Sequence, residues 1–251
     1  MDNLSNCNPF TLLGKTILVT GASSGIGRAT AIQCSRLGAK LVITGRSTER
    51  LAETFSLLEG ESHISIVADL SRQADIERLV SESPTLNGLV HNAGLNTLVL
   101  VNRIESSDYT DVFQANVFAP MLLTKGLLRA RKIARGGSIV FTSSIASQLS
   151  SPASSIYASS KAALTSYMRS CAVELGGKGI RANAVLPGTI ETTLGVGAIP
   201  DELIAKDKEL YALKRYGKPE EVAYAIIYLL SDAAAWVTGT SLVIDGGRLL
   251  K

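Results

Sequence analysis

The stretch that most constrains this chain is an apolar run, a glycine-rich turn and an amphipathic run, in that order. Residues 16–20 (TILVT) have the β-branched character of a strand, Thr20-Gly21-Ala22-Ser23-Ser24-Gly25-Ile26-Gly27 forms the turn, and 26–37 has helical spacing. A strand that feeds a helix in this way returns as a parallel neighbour, because a helical crossover is what joins parallel strands. The alternation continues, with strands expected at 40–44, 63–67, 88–91, 138–142, 181–186 and 241–244. Helices are expected at 48–58, 73–83, 107–131, 155–175 and 220–230. The strand runs are apolar throughout, as in strands covered on both faces. The reading is an α/β fold: a doubly wound parallel sheet of about seven strands flanked by helices, one domain over 1–251. Residues 1–13 form an N-terminal extension. The irregular stretch 193–217 is either a surface loop or a cover over substrate.

Composition narrows the function class. With 251 residues, 46% of them hydrophobic and 19% charged, the chain can bury a large core and is not of the disordered type. A net charge of +3 without a recognisable Lys/Arg cluster argues against a nucleic-acid partner. Cys7, Cys34 and Cys171 are scattered and there are two histidines, which argues against a metal site or a disulfide framework and for reduced thiols in the cytoplasm. The start, MDNLSNCNPF, lacks the basic region and apolar core of a signal peptide. The longest apolar run, 222–230, is well short of the ~20 residues of a membrane span, so no membrane partner is expected.

In the first turn Gly21 permits the tight bend, Gly25 lets a pyrophosphate approach the backbone, and Gly27 lets helix and strand pack closely. Free N–H groups at the start of the helix, at Ile26 and its neighbours, and the hydroxyls of Ser23 and Ser24 would face that anion. The alternative is a plain glycine turn. The second strand ends Thr44-Gly45-Arg46, with no acid to hold a ribose hydroxyl. Arg46 instead suits a 2′-phosphate and so NADP(H) over NAD(H), unless it is a surface arginine. Asp69-Leu70 follows the third strand, where Asp69 either contacts adenine or caps the next helix. Asn92-Ala93-Gly94 lies at the carboxyl edge of the fourth strand, where open α/β sheets bind ligands.

Tyr157 and Lys161 share a helical face. A phenol is a poor base at neutral pH, and a nearby ammonium favours the phenolate, lowering its pKa and making it a usable proton donor and acceptor. Ser144, at the end of the preceding strand, offers a hydroxyl to a substrate carbonyl or else acts as a turn residue.

TGASSGIG, Asn92-Ala93-Gly94, Ser144 with Tyr157-x-x-x-Lys161, and Pro187-Gly188 together resemble the short-chain dehydrogenase/reductase family, with bacterial β-ketoacyl-(acyl-carrier-protein) reductases the most similar members. The resemblance runs from Gly14-Lys15 to Gly246-Gly247. It implies a single-domain Rossmann fold and an oxidoreductase moving hydride between nicotinamide and a carbonyl or secondary alcohol. Tyr157 would be the general acid/base, Lys161 would lower its pKa and bind the nicotinamide ribose, and Ser144 would orient the substrate. Asn116 would hold a relay water, and Ile190 and Thr192, after Pro187-Gly188, would contact the carboxamide. The family is usually tetrameric, so a homotetramer or homodimer is implied, with 107–131 and 155–175 at an interface. Arg129 matches a basic carrier-protein contact, whereas Val173 stands at a second such position. His91 replaces a frequent Asn and reads as structural; His63 reads as a strand-start residue. The competing readings are a non-catalytic dinucleotide-sensing regulator and a sugar-nucleotide-modifying enzyme, the latter needing a further substrate domain. Specificity is expected from 193–217 and from residues near Asn96 and Leu149. Gly195, Val196, Ile199 and Tyr211 there suggest no fixed anion site.

Overall fold

The computed structural model describes residues 8–192, 194–195 and 200–251. Among them, seven strands form one parallel sheet: β1 (Thr16–Thr20), β2 (Lys40–Gly45), β3 (Ile64–Val67), β4 (Leu86–His91), β5 (Ile133–Thr142), β6 (Arg181–Pro187) and β7 (Ser241–Ile244), in the order β3-β2-β1-β4-β5-β6-β7. The order reverses between β1 and β4. The loops leaving these two strands diverge there and open a crevice at the carboxyl edge.

Both faces of the sheet are covered, as the unbroken apolar runs require. In β1, Leu18 faces a core shared with α3 (Gln73–Glu82), α5 (Ala119–Arg129) and α6 (Ser155–Leu175), including Leu79, Leu123 and Met168. Its neighbours Ile17 and Val19 face the other core, with Cys34 of α1 (Gly25–Arg36), Leu51 of α2 (Thr48–Ser56) and Ile226 of α8 (Pro219–Leu230). The period-two alternation of a strand thus feeds two apolar layers.

Three expectations are refined. The stretch read as one helix over 107–131 is α4 (Ser106–Phe113), a π turn (Gln114–Phe118) and α5. Pro120 has no N–H and crowds the preceding turn, so the backbone widens before it, with Ala119 N–H donating to Gln114 O. The fifth strand starts five residues before the expected Ser138. Ile133 pairs with Leu86, Ser138 pairs with Gly88, and the intervening residues bulge through Gly136, at φ 75°. The irregular stretch contains a helix, α7 (Asp201–Glu209). Cys7, Thr193 and 196–199, with Val196 and Ile199 expected to shape specificity, lie outside the described residues.

Both histidines are structural, as read. His63 Nδ1 accepts from Leu41 N–H (3.0 Å), and its Nε2 lies 3.0 Å from Glu59 O. His91 is buried, stacks on Phe141 at 4.9 Å and meets Thr124 Oγ1 at 2.8 Å. Burial pushes its pKa down to about 3, so it is neutral near pH 7. Among the described residues no helix is long and apolar enough to cross a membrane.

Candidate active site

Thr20 ties the two diverging strands together. Its hydroxyl donates to Val90 O (3.2 Å) and accepts from the N–H groups of Asn92 (3.0 Å) and Ala93 (3.1 Å). The Asn92 amide donates to Thr20 O and Gly21 O at 3.3 and 3.4 Å. The glycine turn is packed so closely that a Cβ on Gly27 would lie 2.2 Å from Gly21 O, and one on Gly21 would lie 2.9 Å from the Ala93 backbone. Gly27 therefore holds α1 against the turn, as expected of it. Ser24 begins α1 without a side-chain cap, and no acid sits in the first turn, so no carboxylate competes for the first N–H groups. A Cβ on Gly94 would meet Asn116 Oδ1 at 2.9 Å and Lys161 Nζ at 3.4 Å. The chain keeps side chains out of a continuous channel, and that channel fits a dinucleotide.

The channel is a cleft of about 990 Å³. Every site residue expected from the sequence lines it except Gly27 and Asn116, which brace it from behind. Arg46 stands exposed at the end of β2, with Arg50 of α2 also lining the cleft. Among the described residues Arg46 pairs with no carboxylate. Arg28, by contrast, is spent on Ser23 O, Arg50 O, Thr54 Oγ1 and Glu53. Asp69 serves its own turn: Oδ1 accepts from Ser71 N–H (3.0 Å) and Ser71 Oγ (2.8 Å), while Arg72 precedes α3 as its cap residue. The Ile190 side chain is buried under Gly217, so a contact with a ligand there would come from its backbone.

At the centre of the cleft, α6 presents Tyr157 and Lys161 one turn apart. Lys161 is buried. Its Nζ donates to Thr142 O (2.9 Å) and lies 5.6 Å from the centroid of the Tyr157 ring. The two strand-end serines divide their work. Ser143 Oγ is held by Lys161 O (3.0 Å) and Thr165 Oγ1 (2.9 Å), a purely structural position. Ser144 Oγ accepts from Ala146 N–H (3.1 Å), which leaves its proton free to donate, and it hydrogen-bonds with Tyr157. Asn116 sits in the π turn with both amide hydrogens committed, to Leu95 O (2.9 Å) and Ser160 Oγ (3.0 Å). Its Oδ1 accepts from Leu95 N–H (2.8 Å). The side chain is therefore a brace between the loop after β4 and α6, and a relay water would have to use the backbone.

The electrostatics correct one expectation. Burial raises the Tyr157 pKa above its ordinary value, against a smaller lowering by the Ser144 hydrogen bond. Burial also lowers Lys161 to about 8. The ammonium was expected to bring the phenol down, but burial acts in the opposite direction and decides the sign of the shift. Tyr157 is thus protonated near neutral pH.

Sequence reading missed Thr20, Arg50, Asp207 and Arg248, all at the cleft or its hinge. For Thr20 and Arg248 the available signal was position alone, since each sits at or just beyond the carboxyl end of a strand.

A family model described as enoyl-(acyl carrier protein) reductase matches residues 21–248. The chain is 35% identical over 243 residues to a 3-oxoacyl-(acyl-carrier-protein) reductase of Rickettsia prowazekii, covering 95% of this chain and 98% of that protein. It is 38% identical over 252 residues to an L-rhamnose 1-dehydrogenase (NAD(P)+) of Azotobacter vinelandii, covering 96% and 98%. Among solved structures, one described as an NAD(P)-dependent gluconate 5-dehydrogenase from Beutenbergia cavernae, with NADP bound at low occupancy, superposes with a TM-score of 0.89 at 31% identity, covering 97% of this chain and 100% of that one.

Proposed function

The chain belongs to the short-chain dehydrogenase/reductase family, and on that premise we propose that it is an NADP(H)-dependent ketone reductase working through Tyr157, Ser144, Lys161 and Asn116. It is an oxidoreductase; the cofactor preference, the residue roles and the direction are the proposal. The observation that carries it is one cleft lined by the glycine turn, by the free cation Arg46 and by Ser144, Tyr157 and Lys161.

Residues Gly21 to Gly27, Asn92-Ala93-Gly94, Pro187-Gly188, Ile190 and Thr192 would hold the dinucleotide, with Asp69 and Leu70 near adenine and Arg46 on the 2′-phosphate. When bound, the nicotinamide supplies or accepts the hydride. The rest is proton chemistry of the chain itself. Ser144 donates a hydrogen bond to the substrate carbonyl oxygen. Tyr157, protonated because it is buried, gives its proton to that oxygen as charge develops. The Lys161 charge, held one turn away on the same helix, then acts on the phenolate that remains. The lysine therefore eases proton release from a phenol whose net pKa burial keeps raised.

This division of labour sets a pH dependence. Lys161 carries its charge below about pH 8 and loses it above. Ketone reduction at saturating NADPH should be flat on the acid side of that value and decline on the alkaline side. A kcat profile measured through pH 9 that showed no decline would remove Lys161 from this role.

The substrate is proposed to be a small carbonyl or alcohol, and the enzyme a cytoplasmic homotetramer or homodimer. Apolar residues exposed on the expected interface, Val173 (82% exposed), Phe118 and Tyr109, support assembly. NADPH consumption across a panel of ketones tests the function directly. Tight NADPH binding without turnover of any ketone would favour the dinucleotide-sensing regulator.

A further inference from the structure

Arg248 follows Gly246-Gly247 just beyond β7. Asp245 locks the turn beneath it, accepting from Gly247 N–H (2.9 Å) and Leu249 N–H (2.8 Å), while Arg248 N–H donates to Asp245 O (3.1 Å). The guanidinium lies 6.0 Å over the Tyr211 ring. Tyr211 is fixed in turn: its hydroxyl accepts from Thr189 N–H (3.2 Å) and donates to Thr189 Oγ1 (2.8 Å), and its ring packs against Gly188. Arg248 is therefore held over the segment leaving β6, beside the β5 end that carries Ser144.

Arg248 is half-buried and lines the cleft. Among the described residues its guanidinium has neither a carboxylate nor a carbonyl partner. The other cleft cations work elsewhere: Arg46 and Arg50 follow β2, and Lys161 is bonded to Thr142 O. A preorganised guanidinium fork in a partly desolvated cleft calls for an anion on the ligand.

We propose that the substrate is a hydroxylated carboxylic acid, or the keto acid related to it by the same reaction, with its carboxylate on Arg248. The proposal rests on the oxidoreductase reading and adds the substrate class. A single guanidinium carries one positive charge and suits a monoanion, which is why a carboxylate is named and not a phosphate ester.

The test uses NADP+ reduction by D-glycerate and D-gluconate, each paired with its uncharged alcohol, glycerol and D-sorbitol, with D-sorbitol 6-phosphate as the dianionic arm. The acids are expected to exceed their alcohols and the phosphate ester in kcat/KM by about tenfold or more. In Arg248→Leu the acid-to-alcohol ratio should drop about tenfold through KM, and Arg248→Lys should restore part of it. Calorimetric titration of the same probes into NADP+-loaded protein gives a readout independent of turnover, and the same ranking is expected. Melting curves establish that the variants are folded. Equal use or binding of acids and alcohols, a preference for the phosphate ester, or an unchanged ratio in Arg248→Leu would overturn the proposal. Turnover of uncharged ketones alone would overturn it while leaving the reductase reading standing.

Discussion

A Tyr157→Phe enzyme is expected to reduce ketones about 10²- to 10⁴-fold more slowly in kcat, the range for loss of a positioned general acid. The ring lines the cleft and stacks near Lys161 Nζ, so phenylalanine keeps its shape and removes only the proton carrier. NADPH affinity and melting temperature should therefore remain close to wild type. The burial that raises the phenol pKa makes the effect one-directional near neutral pH: the residue enters the cycle protonated and has a proton to give. Steady-state kinetics with separate kcat and KM values decide the matter. A variant that retains nearly full kcat would show that another group protonates the substrate oxygen.

Replacing Arg46 with alanine is expected to weaken NADPH binding by about 10- to 100-fold and to leave NADH binding nearly unchanged. The estimate follows from the roughly 1.5–3 kcal/mol carried by a hydrogen bond to a charged group. Arg46 is suited to the role because it is exposed at the end of β2, lines the cleft and has no carboxylate partner among the described residues. Arg28, nearby, is consumed by four acceptors and cannot substitute. Fluorescence titration of both dinucleotides measures the ratio. Equal weakening of the two would mean that Arg46 does not read the 2′-phosphate.

The sheet was legible because its strands are apolar on both faces and its turns carry glycine. Thr16–Thr20 and the turn after it needed no long-range information, and Gly27 was read correctly because close helix–strand packing leaves no room for a side chain. The break in the 107–131 helix was not legible. Its apolar spacing continues across the π turn, and the effect of Pro120 depends on how the backbone widens around Asn116. The helix α7 was missed because Asp201–Glu209 is largely polar and lies within a segment read as irregular.

Within the site, side-chain identities were legible and their competing partners were not. Asn116 was expected to hold water; Leu95 and Ser160, distant in sequence, occupy its side-chain amide, which leaves only its backbone for that role. The Tyr157 pKa was read from one neighbour, Lys161, whereas burial, which only the assembled core reveals, decides its direction. The segment 193–217 suggested no fixed anion site. Arg248 lies beyond the last strand, outside that segment, and reaches the cleft only through the turn that Asp245 locks.

The most direct measurement of the central claim uses NADPH deuterated at the transferable position of its nicotinamide. Wild-type protein, a reducible ketone and this cofactor should give an alcohol carrying one deuterium at the carbinol carbon, formed far more slowly by Tyr157→Phe. Tight binding of the labelled cofactor with no deuterium in any product, across ketones and keto acids alike, would contradict the account and leave a protein that binds the dinucleotide without using it.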